Sequence, residues 1–597
     1  MFCSIHSLSQ YQEIYQTIQL DFNRDESLSQ QAKEFLRNRF MLKSERSPQE
    51  AFARAATAFA TNPEHAQRLY DYASQGWMTF ATPLLSNGGT SRGLPVSCFL
   101  NYVGDSRKEL AAHYEENIWL STEGGGIGGH WSDVRSKGQI TSRGVETSGI
   151  IPFIKVSDSQ VPAFHQGSTR RGSYAAYLDI SHPEIEEFIE IRKPTGGDVN
   201  RRCLNLHHAV NIPHAFMEAV KAEKDWDLVD PATQEVVKQV SARQLWYKLL
   251  EMRVSTGEPY LHFIDTSNEY LPKPLKAKGL KIRGSNLCSE ITLPTGPNYT
   301  AICCLSSPNV AFFDEWRDTL LIEDMVEMLD NALETFIQQS PPELKNAVTS
   351  AKEERSIGLG QTGFWTLIQK RRLSPYSKET RALNLEVSRY IYVHARKASV
   401  QLAQERGPAP MAEKGLRNAH LIAIAPNVSS SVMCNSSPSI EPYRANAYTH
   451  KTLDGFFLST NPQLESVLEE LGLNTSETWK SIMTNMGSVQ HLDLSPEVKE
   501  TFLTAVELDQ KLLVELAADR QLYVCQAQSL NLFFAPESNK KTIHEAHWLA
   551  WEKGLKSLYY LRSEAIGRAE LVGQQAERQV KLQPPEAGEE CMVCAGG

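Results

Sequence analysis

Arg283-Gly284-Ser285-Asn286-Leu287-Cys288-Ser289-Glu290 sets an amide, a thiol and a carboxylate two residues apart. If the stretch is extended, alternate side chains share a face, and Asn286, Cys288 and Glu290 project together into one pocket. It then reads as a thiol with a base beside it. Taken alone, the pattern fits a buried structural cysteine in a polar loop better, and it is the rest of the chain that reverses this reading.

The surrounding chain has 597 residues, 41% apolar and 22% charged, a globular profile with enough apolar material for one large domain and smaller appendages. A formal net charge of −10 without long Lys/Arg runs argues against a groove that tracks a nucleic-acid backbone. A small phosphorylated ligand, which needs only local cations, is the better expectation. Residues 1–30 carry charges and no apolar signal core, and the longest uncharged stretches, 291–313 and 421–440, are broken by Pro, Asn and Ser. The expectation is a cytoplasmic chain with no membrane span. Ten scattered cysteines in such a chain default to reduced thiols, and any pairing among them should be catalytic.

Residues 1–75 read as a helical domain. Ser47-Pro48-Gln49-Glu50 supplies an N-cap, a proline at the first helical position and a capping-box acid ahead of the helix-forming run 51–60. From Gly76 the texture changes to short apolar runs, Gly-rich loops and intervening helices, the alternation of an α/β domain that extends to residue 573. Ile322, Met325, Val326, Leu329, Leu333 and Phe336 share one helical face and serve core packing. Residues 574–597, rich in Gln, Glu and Pro, read as a mobile tail ending in Cys591-Met592-Val593-Cys594.

Three loops have the composition of phosphate handling. Glu123-Gly124-Gly125-Gly126-Ile127-Gly128-Gly129 lets backbone approach a ligand, though it lacks the dinucleotide-fingerprint spacing and a flexible surface turn explains it as well. Ala425-Pro426-Asn427-Val428-Ser429-Ser430-Ser431 would hold a phosphate at a helix N-terminus, or be an ordinary cap. His165-Gln166-Gly167-Ser168-Thr169-Arg170-Arg171-Gly172 could bring a guanidinium group to a nucleotide, but paired arginines are more often solvated and this loop alone is a weak signal.

Taken in order, Ala81-Thr82-Pro83, Pro95-Val96-Ser97-Cys98, the glycine run, Ser285 to Glu290, Cys303-Cys304-Leu305-Ser306, Leu359-Gly360, the serine loop, residues 526–531 and Leu558-Tyr559-Tyr560-Leu561-Arg562 make a specific set. In that order and spacing the chain, from about residue 45 onward, resembles the large, catalytic subunit of class I ribonucleotide reductase. The resemblance implies a ten-stranded α/β barrel of two five-stranded halves, with Cys288 on a finger loop, around 284–294, threaded through its centre.

It also implies the chemistry. Removing a ribose 2′-hydroxyl requires the 3′-hydrogen to be taken first as an atom, which a Cys288 thiyl radical can do and later reverse. Glu290 is then the general base for the 3′-hydroxyl, and Asn286 holds the sugar hydroxyls. Cys98 and Cys303 supply two electrons by becoming a disulfide. Cys304 is a rival to Cys303, and since adjacent strand residues face opposite ways only one of them should meet Cys98. Cys591 and Cys594 re-reduce that disulfide, at roughly millimolar local concentration, and thioredoxin or glutaredoxin recharges them. Tyr559 and Tyr560 match the dyad that carries a radical in from a separate small subunit, so no cofactor or metal is expected in this chain. An adenosylcobalamin-dependent reductase shares the barrel, the cysteines and the tail dithiol without needing the dyad.

By the same carry-over, Thr82, Ser97, Gly125, Gly126, Ser429 and Ser430 hold the substrate nucleotide. Asp105, Ser106 and Arg135 bind a dNTP or ATP effector, and Gln166 and Arg170 lie in the loop that relays effector identity. A nucleotide-promoted homodimer follows from the family's effector site. The residues before 45 show none of the basic, Gly-containing opening of an ATP-binding activity switch, so specificity control without that switch is expected. Such compactness is compatible with a phage-encoded enzyme acting in the cytoplasm of an infected bacterium. An inactive nucleotide-binding paralogue would lack at least one of these reaction groups, and none is missing.

Overall fold

The computed structural model describes residues 2–164, 172–194, 196–452 and 455–563. Ahead of the first strand lie the helices Leu8–Thr17, Gln30–Arg39, Pro48–Phe59 and Pro63–Ser74. The Pro48 helix starts where its sequence says: Ser47 Oγ accepts the Gln49 N–H at 3.1 Å, and the Glu50 carboxylate returns the bond to the Ser47 N–H at 3.1 Å. Its alanines are buried on every side, which lets neighbouring backbones close in. Arg54 is buried within that helix, pairing with Glu45 at 2.6 Å and donating to the carbonyls of Leu85 and Gly88. The helical segment therefore shares one continuous apolar core with the rest of the molecule: Phe59 and Leu69 belong to the same buried cluster as Phe99 and Leu333. All six periodic positions from Ile322 to Phe336 are buried along the Leu321–Gln339 helix, which packs on the long Lys378–Arg406 helix. Each large apolar side chain so covered contributes about 1.5–3 kcal/mol.

The barrel's first half is five parallel strands, Cys98–Tyr102, Gly126–His130, Ser173–Asp179, His207–Ile212 and Tyr260–Phe263, each paired with the next. The second half begins at Ala301–Pro308, antiparallel to the Cys98 strand, and passes in parallel to Ile357–Leu359. It continues through bridges from Leu359 to Ile422 and from Ile424 to Gln528. The Tyr559 N–H bonds the Leu530 carbonyl, and Ser557–Leu558 runs antiparallel to the Tyr260 strand, which closes the ring at ten segments. Among the described residues, no helix is long and apolar enough to cross a membrane.

The finger loop occupies the inside of this ring and is tied to both halves. Tyr177 Oη donates to the Asn286 carbonyl at 2.6 Å, and the Asn211 amide to the Arg283 carbonyl at 2.7 Å. From the other side, the Ala527 N–H bonds the Glu290 carbonyl at 2.9 Å, and Ser557 Oγ the Ser289 carbonyl at 2.7 Å. The glycine run corrects one expectation. Gly126–His130 is a buried wall strand, so the surface-turn reading fails. A Cβ on Gly128 would sit 1.9 Å from the Ser285 carbonyl oxygen, and one on Gly125 would sit 2.2 Å from the Phe99 ring. The glycines admit the finger loop and pack the wall.

Candidate active site

The stretch from Asn286 to Glu290 is a turn rather than a strand. Asn286 Oδ1 accepts the N–H groups of Glu290 and Ile291, both at 3.1 Å, and Ser289 adopts a left-handed φ of 68°. One side chain thus takes over the hydrogen bonds that a neighbouring strand would have given. The simple alternation read from the sequence does not hold, yet the turn still gathers the groups. The Asn286 amide reaches Cys98 Sγ at 3.4 Å, and Cys98 Sγ lies 4.0 Å from Glu290 Oε1.

Glu290 is enclosed by protein. Burial pushes its carboxyl up from 4.5 to about 7, against the opposing hydrogen bonds from its backbone, Asn286 and Ser529. Such a group exchanges a proton near neutrality, as a general base must. Ser529 Oγ stands 3.2 Å from Glu290 Oε2 and 2.6 Å from the Cys288 carbonyl, tying the carboxylate to the backbone of the loop at Cys288.

Cys98 and Cys303 are direct partners in the antiparallel register. Such partners have Cα atoms about 4.5 or 5.5 Å apart with side chains on one face, inside the range a disulfide spans. Both are in the reduced thiol form here. Burial, then the neighbouring Cys98 and Cys304, push the Cys303 thiol well above its ordinary value, which keeps it protonated. Gln526 Nε2 approaches Cys303 Sγ at 3.8 Å. Cys304, on the opposite strand face, feels Arg355, Cys3 and Asp330 instead.

Cys288 is buried with Leu287, Tyr177, Tyr260, Tyr559 and Tyr560 in one cluster. The Tyr559 and Tyr560 rings are 4.2 Å apart between centroids, tilted by 53°. Their backbone is pinned: Arg253 Nη1 donates to the Tyr559 carbonyl at 3.0 Å, and the Tyr560 N–H donates to Asn531 Oδ1 at 3.0 Å.

The nucleotide-contact candidates fall in two regions. Ser97 immediately precedes Cys98, and its Oγ lies 3.6 Å from that thiol. Thr82 opens the Thr82–Asn87 helix, just after the Met78–Phe80 strand. The Val428–Met433 helix packs on that strand and carries Ser429 and Ser430. Asn427 holds the turn before them, donating to Ser307 Oγ at 2.8 Å and the Gln361 carbonyl at 3.1 Å. Elsewhere, Ser106 caps the Arg107–Thr122 helix and Arg135 pairs with Asp105 at 2.6 Å. Gln166, Arg170, Cys591 and Cys594 lie outside the described residues.

Sequence reasoning assigned no role to Gln526, Ser529, Tyr177 or Tyr260, which touch the thiols, the carboxylate or the dyad. The first two fall inside a stretch already singled out, but only the fold shows what they face. His65, Asp324 and Glu327 have the mutual spacing of metal ligands. Their oxygens already accept from Arg68, Tyr72 and Arg406, which makes them a buried ion-pair network.

A closed α/β barrel with a cysteine on its inner loop and a facing cysteine pair in its wall is the arrangement expected of an oxidoreductase of the ribonucleotide reductase class. The sequence matches the family model for the ribonucleotide reductase barrel domain over residues 96–411 and 409–561, and that for the all-alpha domain over 26–93. It is 49% identical over 539 residues, 89% of this chain and 93% of the other, to a frog virus 3 (isolate Goorha) protein provisionally named a ribonucleoside-diphosphate reductase large subunit. It is 39% identical over 641 residues to the ribonucleoside-diphosphate reductase large subunit of invertebrate iridescent virus 3, covering 97% of this chain and 100% of that one. Among solved structures, the alpha subunit of the Actinobacillus ureae class Id ribonucleotide reductase matches with a TM-score of 0.80 at 33% identity, covering 91% and 98%. The chain belongs to the ribonucleotide reductase family, as the large subunit of a class I enzyme, and its activity is ribonucleotide reduction.

Proposed function

We propose that the chain reduces ribonucleoside diphosphates by thiyl-radical chemistry in the cytoplasm, and that Cys288 carries the radical. The observation that supports this reading best is the register of Cys98 on Cys303, with Cys98 beside the buried Glu290 of the loop that carries Cys288. The Cys288 thiyl takes the 3′-hydrogen as an atom, breaking C3′–H and forming S–H. Glu290, ionised, takes the 3′-hydroxyl proton while Asn286 orients the sugar. The 2′-hydroxyl leaves as water. Cys98 and Cys303 give two electrons and two protons and become a disulfide, Glu290 returns its proton to the 3′-oxygen, and Cys288 returns its hydrogen atom to C3′. The net change is one C–OH and two S–H converted to one C–H, one S–S and water.

The radical enters from a separate small subunit through Tyr560 and Tyr559. At each step a hydrogen atom passes outward as the radical passes inward. Cys591 and Cys594 then exchange with the Cys98–Cys303 disulfide, and thioredoxin or glutaredoxin reduces them. Thr82, Ser97, Gly125, Gly126, Ser429 and Ser430 hold the substrate. Asp105, Ser106 and Arg135 receive a dNTP or ATP effector at a homodimer interface, and Gln166 and Arg170 pass its identity to the substrate site.

Nucleotide reduction by the purified chain with dithiothreitol and an effector tests the reading, with a class I small subunit from the same genome or with adenosylcobalamin added. Turnover requiring the small subunit, and abolished by Cys288→Ser and by Tyr560→Phe, is expected. Turnover with adenosylcobalamin alone would sink the relay.

A further inference from the structure

The aromatic cluster around the dyad holds polar groups that the reaction above does not use. His207 opens the His207–Ile212 strand on the inner face of the barrel. Its Nδ1 lies 2.6 Å from Glu258 Oε1 and 3.3 Å from Tyr560 Oη. The imidazole meets the Tyr560 ring edge-on at 5.9 Å and 81°, and stacks on Tyr260 at 6.1 Å and 20°. Tyr260 in turn touches both relay rings, at 4.7 Å from Tyr559 and 5.0 Å from Tyr560.

Glu258 is anchored from behind. Arg192 Nε is 3.4 Å from its Oε2, and the same oxygen lies 3.2 Å from the His208 N–H and 3.3 Å from His208 Nδ1. Burial pushes this carboxyl up, but Arg192 and then His207 outweigh it and hold Glu258 well below the usual carboxylate range. An ionised carboxylate only accepts, so the hydrogen in the 2.6 Å contact sits on His207 Nδ1. The same hydrogen is shared with the Tyr560 oxygen, 3.3 Å from Nδ1, as the longer arm of a three-centre bond. Packing alone does not call for the arrangement, because an apolar ring would fill the same space without burying an ion pair.

We propose that His207 is a positioning residue for the Tyr560 step: locked by Glu258 and Arg192, it offers an N–H to the phenol oxygen and turns the Tyr560 hydroxyl hydrogen to the other side. The inference rests on the relay reading above. The imidazole neither gains nor loses a proton. It fixes the direction from which the hydrogen atom leaves, and it remains a donor to the phenoxyl oxygen once the radical is there. Arg562, 4.0 Å over the Tyr560 ring, closes another side of the same ring.

The test uses the full chain with its small subunit and effector. A tyrosine analogue more easily oxidised than tyrosine is placed at position 560 so that the radical stops there. High-field electron paramagnetic resonance with electron–nuclear double resonance should then show a proton coupling to the phenoxyl oxygen that disappears in D2O. His207→Phe should remove that coupling and lower kcat about three- to tenfold, the worth of one hydrogen bond, with KM for the ribonucleotide unchanged. Glu258→Gln, which keeps the side-chain shape but removes the charge that fixes the hydrogen on Nδ1, lets the imidazole take the other tautomer and should weaken the coupling and lower kcat in the same direction. An unchanged coupling and kcat in both variants overturns the role of His207. If Tyr560→Phe is itself active, the relay reading fails; if it is inactive while both variants behave as wild type, only the present inference falls.

Discussion

Replacing Glu290 by Gln separates the electrostatics of the buried carboxyl from everything else in the pocket. Burial moves this group from 4.5 to about 7, so the folded protein holds the proton more tightly than the unfolded chain. Stability on this account is full below pH 4.5, declines as pH rises, and reaches its floor above pH 7. At about 1.36 kcal/mol per tenfold change in proton affinity, the decline is on the order of 3 kcal/mol. A glutamine is neutral throughout and suffers no such loss. Relative to wild type, Glu290→Gln therefore gains about 3 kcal/mol between pH 4.5 and pH 8. With an unfolding entropy of about 2.1 cal/mol/K per residue, a chain of 597 residues converts this into a Tm shift of roughly 2–3 °C. Differential scanning calorimetry at pH 5, 6, 7 and 8 should show the Tm gap between variant and wild type widening by that amount. Wild-type kcat/KM should show an acid limb near pH 7, where the base ionises, while the variant is inactive. A Tm gap that does not change with pH, together with an acid limb near 4.5, would refute the argument, since Glu290 would then be ionised like an exposed carboxylate.

Further substitutions probe the geometry. Pre-reduced enzyme with its small subunit and effector, carrying Cys591→Ser and Cys594→Ser so that the tail cannot re-reduce the wall, should form a Cys98–Cys303 disulfide visible by peptide mass spectrometry when given one equivalent of substrate; Cys303→Ser should abolish it and Cys304→Ala should leave it intact, whereas the reverse result would place the wrong thiol in the wall. Gly128→Ala drives a methyl to 1.9 Å from the Ser285 carbonyl oxygen and must displace the finger loop. We expect a stability loss of about 1–3 kcal/mol by denaturant unfolding and a kcat loss on the order of 100-fold from a misplacement near 1 Å. Wild-type kcat in that variant would mean the loop is not held against this strand.

The chain by itself determined what depends on near neighbours. Ser47 through Glu50 carry their own capping chemistry, and the spacing from Ile322 to Phe336 marks the buried face of a helix whatever it packs against. The order of short motifs, from Thr82 to the tyrosine pair, was enough to name the family and its barrel, because spacing along a chain survives where local conformation does not. Tertiary structure decided the rest. Asn286 to Glu290 form a turn because the Asn286 side chain replaces the strand partner that alternation presupposes. The glycine run is a wall strand because Ser285, supplied from far along the chain, needs the room at Gly128. Ser529 braces Glu290 across 239 residues, and His207 reaches Tyr560 across 353. No local pattern encodes such pairs. Which groups share the dry centre of a barrel is set by ring closure and strand register, and these are properties of the whole chain once its apolar faces have been buried together.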